Sequence, residues 1–117
     1  MYSDCVRRLV AELPNSGFLE GATHHARVEN PVCGDVVELF LRIEEGQVQS
    51  CRFRASGCPA AIAASAAVTI LSEDMPVQSC LKIGVEDVLN YLGGLPTHKK
   101  HGAELAVEVL KRSLTAF

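Results

Sequence analysis

The sequence predicts an α+β fold, in which helices pack on one face of a three-stranded antiparallel sheet. Residues 36–44 and 48–55 alternate apolar and polar side chains and are joined by a short Glu45-Gly46 turn, which is typical of an antiparallel hairpin. Before and after this hairpin, apolar residues recur with the period of a helix. The expected order is therefore an N-terminal helix, then strands, then helices.

The first predicted helix covers residues 2–13. Its apolar residues fall at positions i, i+3, i+4 and i+7 of one face: Val6, Leu9, Val10 and Leu13. We expect Ser3 to cap this helix at its beginning and Pro14 to end it. Cys5 lies one turn before Leu9, and we expect it to be a small packed residue.

A weaker strand is predicted over residues 22–29, before the hairpin, and it brings the sheet to three strands. Its alternation puts His24 on the face that also carries Ala26 and Val28. His25 points to the opposite face. At most one of the two histidines can therefore face a site.

The apolar period changes again after the hairpin. Pro59 suits the first position of a helix, where its missing N–H costs nothing, and a run of small uncharged residues follows it. This run predicts a helix that is buried on all sides and approached closely by its neighbours. Two short helical pieces are predicted around residues 77–83 and 85–91, and a last helix from about residues 99–102 to 114.

The composition is that of one globular domain, which we expect to span residues 1–117. The net charge is −3 and no basic stripe is present, so neither nucleic acid nor an anionic membrane is an expected partner. Charged and apolar residues alternate near the beginning of the chain, so no signal peptide is expected. No apolar run approaches the length of a transmembrane helix. We therefore expect the cytoplasm as the compartment.

The five cysteines do not form a local motif. Their number is odd and no two have the C-x-x-C spacing, so a disulfide framework, a zinc ribbon and a thioredoxin-type site are not indicated. Any site must be assembled by the fold from residues that are distant in sequence. Three of the cysteines are expected to be packing residues: Cys5, Cys51 and Cys80.

The loop from Asn30 to Asp35 is the strongest candidate for a site. It carries Cys33 and Asp35 just before a strand, where irregular backbone fits poorly in a packed core. Cys58 lies at a predicted helix N-terminus, where the helix dipole and free N–H groups favour the thiolate and lower the thiol pKa. Because a hairpin returns the chain to the end at which it began, we expect Cys33 and Cys58 to be neighbours.

A carboxylate and an imidazole would complete a four-ligand set around these two thiols. Asp35 and His101, near the start of the last helix, are the candidates, and such a set suits Zn²⁺ or iron with sulfide. Simpler interpretations stay open at this point. Cys33 and Cys58 could be unrelated buried cysteines. Asp35 could accept hydrogen bonds from loop amides, and His101 could face solvent.

Two segments resemble the U-type iron–sulfur cluster scaffold family, which includes IscU and the N-terminal domain of NifU. They are Pro31-Val32-Cys33-Gly34-Asp35 and Arg52-Phe53-Arg54-Ala55-Ser56-Gly57-Cys58, which leads into Ala60-Ala61-Ile62-Ala63-Ala64-Ser65. The family carries a cysteine-glycine-aspartate loop, and a glycine-cysteine pair that opens a helix rich in alanine and serine. The resemblance covers nearly the whole chain in the same element order, and it implies a SufE/NifU-like fold.

The resemblance implies four ligands: Cys33, Asp35, Cys58 and His101. The family's third cysteine directly follows its histidine, and this chain has Gly102 there, so the usual three-thiolate site is not expected. A set of two cysteines, one histidine and one aspartate can still hold a Zn or Fe ion, or a transient [2Fe–2S] cluster with non-thiolate ligands. We expect this site to be more labile than the three-cysteine version.

The resemblance further implies a non-catalytic scaffold that passes its cluster to apo client proteins. A cysteine desulfurase is the expected sulfur donor. Residues 95–101 are similar to the family's segment that an Hsp70-type chaperone system reads, but the proline pair is reduced to Pro96-Thr97. The alternative is a sulfur-relay partner of a cysteine desulfurase, with a persulfide on Cys58 or Cys33. A third hypothesis is a domain that has kept the fold only as an interaction surface.

Overall fold

The computed structural model of the chain describes residues 1–31 and 33–115. The helices are α1 (Asp4–Glu12), α2 (Pro59–Ser72), α3 (Val77–Cys80), α4 (Val85–Leu92) and α5 (His101–Thr115). The strands are β1 (His24–Glu29), β2 (Val36–Glu44) and β3 (Gln47–Ser56). A single 3-10 turn over Thr97–Lys99 precedes α5. This order confirms the predicted α+β fold.

The sheet has the order β1-β2-β3, with β2 in the centre and antiparallel to both neighbours. Glu45 and Gly46 form the turn between β2 and β3 with positive φ at both residues, as a tight hairpin requires. The face that packs on the helices is apolar; Ile43 and Ala55 on it are half-buried, and the following side chains are at most 2% exposed: Val37, Leu39, Leu41, Cys51 and Phe53. The predicted alternation is therefore confirmed.

Helix α2 runs through the centre of the molecule and packs against α1, α4, α5 and the sheet. Its alanines from Ala60 to Ala67 are all fully buried, but Ile62, Ile70 and Leu71 are half-buried, so the predicted burial on all sides is confirmed for the alanines only. Two of its buried polar side chains donate to carbonyls of the preceding turn. Ser65 donates to the carbonyl of Ala61 over 2.7 Å, and Thr69 donates to the carbonyl of Ala66 over 2.7 Å.

Helix α1 begins where the sequence predicts a cap, because the Ser3 hydroxyl accepts a hydrogen bond from the N–H of Val6. The helix ends one residue earlier than predicted. Leu13 takes the left-handed conformation with φ of +49° and caps the helix, so its side chain is 41% exposed instead of joining the apolar stripe. Cys51 and Cys80 are buried and Cys5 packs against the core, as predicted.

Two loop segments cover the outer edge of β3. The N–H of Gly17 donates to the carbonyl of Phe53, and the N–H of Phe53 donates to the carbonyl of Asn15. Farther along the strand, Val48 exchanges hydrogen bonds with the 74–75 segment in the same way. Among the described residues, no helix is long and apolar enough to cross a membrane.

Candidate metal centre

The loop before β2 closes on itself through hydrogen bonds. It places its two candidate site residues in different environments. The N–H of Gly34 donates to the carbonyl of Asn30 over 2.8 Å, and the N–H of Asn30 donates to the carbonyl of Asp35 over 2.8 Å. Gly34 has φ of +76°, which suits glycine. The result is that the Cys33 side chain is exposed while Asp35 is only 2% exposed.

The N-terminus of α2 provides the second thiol. Cys58 is the N-cap residue, with extended backbone, and Pro59 occupies the first helical turn as predicted. The Cys58 side chain makes no capping hydrogen bond to the helix. Its thiol therefore remains available to the loop before β2.

The four predicted site residues meet at the Asp35 carboxylate. The thiols of Cys33 and Cys58 each lie 3.3 Å from Asp35 Oδ2, and His101 Nε2 lies 3.1 Å from the same atom. Asp35 Oδ1 accepts the backbone N–H of Cys58 over 3.0 Å. Cys58 Sγ is also 3.8 Å from His101 Nε2. The structure thus brings together all four residues, and their role as ligands stays a prediction.

The separations of the Cys33, Cys58 and His101 ligand atoms from Asp35 Oδ2, and that of Cys58 Sγ from His101 Nε2, are close to those in a tetrahedral metal site. With metal–ligand distances of about 2.0–2.3 Å, neighbouring ligand atoms of a tetrahedral site stand about 3.3–3.8 Å apart. Ligand atoms of Cys33, Asp35 and His101 all lie within 4.8 Å of one another, and Cys58 contacts two of these residues. Two soft thiolates with an imidazole and a carboxylate suit Zn²⁺ and iron.

Solvent reaches this cluster from two sides. Cys33 is exposed, and the His101 side chain retains 29% of its accessible surface. A cavity of about 380 Å³ adjoins His101 on the side of β1 and α5, with Arg27 and Arg112 among its lining residues. An ion or a partner protein can therefore approach the cluster without opening the core.

Hydrogen bonding keeps Asp35 ionised. Burial raises the pKa of this carboxyl, but the hydrogen bonds donated by the Cys58 backbone, by the Cys33 and Cys58 thiols and by His101 outweigh it, so the pKa lies below the ordinary value of 3.8. Asp35 is therefore a carboxylate surrounded by donors at neutral pH.

The prediction that the helix N-terminus lowers the Cys58 pKa is wrong. Burial raises the pKa of this thiol above its ordinary value of 9.0. The nearby backbone N–H groups of Ala61 and Ala60 lower it, as the prediction requires, but the hydrogen bond to Asp35 and the negative charge of Asp35 raise it further. Without a metal ion, Cys58 is therefore a thiol that donates to Asp35.

Gly57 has a role that its sequence position alone did not reveal. Its φ is +133°, and a Cβ built on it would lie 1.9 Å from Asp35 Oδ1 and 2.7 Å from Asp35 Cγ. The Asp35 carboxylate thus occupies the space that any side chain at position 57 would need. The glycine-cysteine pair is the signal in the sequence that could have indicated this contact.

The two histidines of β1 are not among these four residues. His25 lies on the outer face of the sheet, where it is 2.6 Å from Glu38 Oε2 and stacks on Phe40 with ring centroids 4.9 Å apart. His24 Nδ1 lies 2.8 Å from the hydroxyl of Thr23. The imidazole of the cluster comes from α5 instead.

Comparison with known proteins finds relatives along the whole chain. The family model described as the NifU-like N terminal domain matches residues 1–117. The chain is 34% identical to the iron–sulfur cluster assembly scaffold protein IscU 1 of Archaeoglobus fulgidus over 117 residues, which are 100% of this chain and 76% of the relative. It is 35% identical to the scaffold protein IscU of Aquifex aeolicus over 82% of this chain and 62% of the relative.

Solved structures share the fold. The N-terminal part of a nitrogen-fixing NifU-like protein from Brucella abortus superposes with a TM-score of 0.80 at 13% identity, and the match covers 96% of this chain and 90% of that one. A candidate SUF-system scaffold from Fervidobacterium islandicum gives a TM-score of 0.82 at 16% identity, with 97% and 96% covered. The family model and the relatives together establish that this chain belongs to the NifU-like N-terminal domain family.

Proposed function

We propose that residues 1–117 form a single domain that assembles and transfers a transient iron–sulfur cluster, held by Cys33, Asp35, Cys58 and His101. The observation that carries this proposal is the convergence of two thiols and one imidazole on a single oxygen of the buried Asp35 carboxylate. The relatives named above are scaffold proteins, which favours this function over the sulfur-relay alternative.

Loading exchanges protons for cargo. The protonated Cys33 and Cys58 thiols both donate to Asp35, so each must lose its proton before its sulfur binds iron or zinc. The raised pKa of Cys58 makes this exchange more costly at low pH. The cargo itself, a [2Fe–2S] cluster or a single Zn or Fe ion, supplies the positive charge that compensates for it.

Release is helped by the same hydrogen bonds. When the cargo leaves, the two thiols regain protons and donate to Asp35, which gives the protonated residues an ordered arrangement of their own. This arrangement competes with binding and keeps the affinity moderate. A carboxylate oxygen is also a harder ligand than a thiolate, and it exchanges with a client's sulfur without loss of a cysteine ligand.

The partners follow from this role. A cysteine desulfurase would supply sulfur, apo client proteins would accept the cluster, and an Hsp70-type chaperone system would act on residues 95–101. The exposure of Cys33 favours direct sulfur delivery to this residue. The domain would act in the cytoplasm as a carrier and not as an enzyme.

Anaerobic reconstitution with ferrous iron and sulfide tests the proposal. We expect visible cluster absorbance for the wild-type protein, and loss of most of it in Cys33→Ala and in Cys58→Ala. Cys5→Ala is the matched control, because Cys5 bonds to the carbonyl of Tyr91 and lies outside the cluster. Transfer of the cluster to an apo ferredoxin should follow.

Native mass spectrometry separates the alternatives. A mass increase that fits iron and sulfide supports the scaffold. A sulfur adduct on one cysteine after incubation with a desulfurase and cysteine, without metal binding under any loading condition, contradicts it and supports the sulfur-relay function. Absence of both would leave only the interaction-surface hypothesis.

A further inference from the structure

The residue after His101 is held unusually close to α2. Gly102 is buried in the first turn of α5. A Cβ built on it would lie 2.8 Å from the carbonyl carbon of Ala60, 2.9 Å from the backbone nitrogen of Ala61 and 3.0 Å from the carbonyl oxygen of Ala60. All three atoms belong to one peptide group of α2, so they cannot move aside as a flexible side chain could.

This contact joins the N-terminus of α2 to the N-terminus of α5. These two helix ends carry two of the four candidate ligands. Cys58 caps α2 and lies two residues before Ala60, while His101 opens α5 directly before Gly102. The close approach at Gly102 therefore sets the distance between the two helix ends. It is this distance that places His101 Nε2 3.8 Å from Cys58 Sγ and 3.1 Å from Asp35 Oδ2.

We propose that Gly102 is a positioning residue that determines which side chains supply the ligand atoms of the candidate metal site. It lets α5 approach α2 closely enough for the His101 imidazole to reach Asp35, and the same approach leaves no room for a side chain at position 102. This proposal rests on the proposed function, since it concerns the ligand set of the same site.

The direction in which a substitution changes stability distinguishes this role from that of an ordinary helix glycine. Alanine in place of glycine in a helix interior is normally stabilising, because it reduces backbone freedom in the unfolded chain. At position 102 the added methyl group would overlap the Ala60–Ala61 peptide group. The start of α5 must then move away from α2 and carry His101 with it.

A cysteine at position 102 would therefore not simply add a third thiolate. Its Cβ meets the same peptide group, so the sulfur is gained only when α5 is displaced and the imidazole is withdrawn from Asp35. The site in this chain is consequently specific for cargo that accepts two thiolates, one imidazole and one carboxylate. Imidazole ligation raises the reduction potential of a [2Fe–2S] cluster relative to an all-thiolate one.

Cobalt binding and proton NMR of the intact protein test the proposal. The variants are Gly102→Ala, Gly102→Cys and His101→Ala. Gly84→Ala is the matched control, because Gly84 caps α4 and a Cβ there meets only Asp87 Oδ2, at 3.8 Å. Each protein is titrated with Co²⁺ alone, and the NOE between the His101 ring and the Cys58 β-protons is measured without metal.

We expect Gly102→Ala to weaken Co²⁺ binding by about 10- to 100-fold, as His101→Ala does, and to lose the NOE, while Gly84→Ala changes neither. In Gly102→Cys, the thiolate-to-cobalt absorption should exceed that of the wild type only if the Co²⁺ affinity is lower than the wild-type affinity. Retention of both the NOE and the affinity in Gly102→Ala overturns the proposal. The proposal is also overturned if Gly102→Cys shows the absorption of a third thiolate ligand and keeps the wild-type Co²⁺ affinity.

Failure of the proposed function gives a different result. If the wild-type protein binds neither Co²⁺ nor a cluster, the function is wrong, and the NOE without metal still decides the role of Gly102. If Gly102→Ala does not fold, the comparison of wild type with His101→Ala decides instead. Equal Co²⁺ affinity and equal spectra of these two proteins would show that no imidazole donor is delivered, which overturns the proposal.

Discussion

The backbone N–H of Cys58 donates a 3.0 Å hydrogen bond to Asp35 Oδ1, and this bond ties the cap of α2 to the loop before β2. The other carboxylate oxygen accepts three side-chain donors. Asp35 is thus both a candidate ligand and the residue that holds the other three candidate ligands together.

Replacing Asp35 should therefore cost stability even without metal. We expect Asp35→Ala to lower the free energy of unfolding by about 1–3 kcal/mol, because buried donors lose their acceptor. Asp35→Asn retains an oxygen for the Cys58 N–H and should cost less. Urea denaturation measures both, with Glu20→Ala as the exposed acidic control. Equal stability of Asp35→Ala and the control would contradict the central role of this carboxylate.

The same carboxylate predicts the pH dependence of stability. The pKa of Asp35 is lower in the folded protein than its ordinary value of 3.8, so its contribution is complete above that pH. As the pH falls through the folded pKa, the contribution is lost. The difference in stability between wild type and Asp35→Ala should therefore shrink in acid, and a constant difference from pH 7 to pH 2 would exclude this linkage.

Cys58 should titrate above an ordinary thiol. Burial and the Asp35 charge raise its pKa above 9.0, so its alkylation by iodoacetamide should reach its midpoint at higher pH than in a short peptide of residues 54–62. Asp35→Asn removes the charge and should lower that midpoint. The pH midpoint is measured because limited access of the reagent to Cys58 lowers the alkylation rate at every pH and does not change the pH of the midpoint. A midpoint below that of the peptide would restore the helix-dipole prediction.

Gly57→Ala tests the space reserved for the carboxylate. Gly57 and Gly46 both have positive φ, so alanine at either position carries backbone strain of about 1–3 kcal/mol. Only at position 57 does the new Cβ meet Asp35, since nothing lies within 4 Å of the corresponding atom at position 46. We expect Gly57→Ala to weaken Zn²⁺ binding by about tenfold or more relative to Gly46→Ala, measured by competition with a chromophoric chelator.

Helix α2 should not tolerate larger side chains. Ala64 is fully buried between neighbouring elements, and Ala64→Leu should destabilise the protein by about 1–3 kcal/mol through overpacking. Ala11→Leu in the exposed face of α1 is the control and should change stability by less than about 0.5 kcal/mol. Thermal and urea denaturation give the comparison. Similar effects at the two positions would mean that α2 can be repacked.

The sequence contains enough information to predict the elements, because their periods are clear. The alternation in β2 and β3, the Glu45-Gly46 turn and the alanine run of α2 each satisfy local rules that the fold does not override. Leu13 is an exception, since the chain leaves the helix through it in the left-handed conformation. A periodicity that fits Leu13 cannot anticipate which residue will cap the helix.

The proximity of the four candidate residues was predictable from the sequence, whereas the direction of their pKa shifts was not. Hairpin geometry brings Cys33 and Cys58 together, and the family resemblance adds Asp35 and His101. The direction of the Cys58 pKa depends on which atom its thiol faces, and the sequence does not specify that Asp35 lies 3.3 Å away. The roles of glycines likewise depend on what fills the space beside them.

The segments that cover the outer edge of β3 have a consequence for assembly. Asn15, Gly17 and the 74–75 segment already use the backbone groups of Phe53 and Val48 on that side. A partner protein therefore cannot extend the sheet by adding a strand there. Strand addition is left to β1, which has only six residues and carries charged side chains, so this fold favours recognition through its loops and helix ends over fibre-like stacking of sheets.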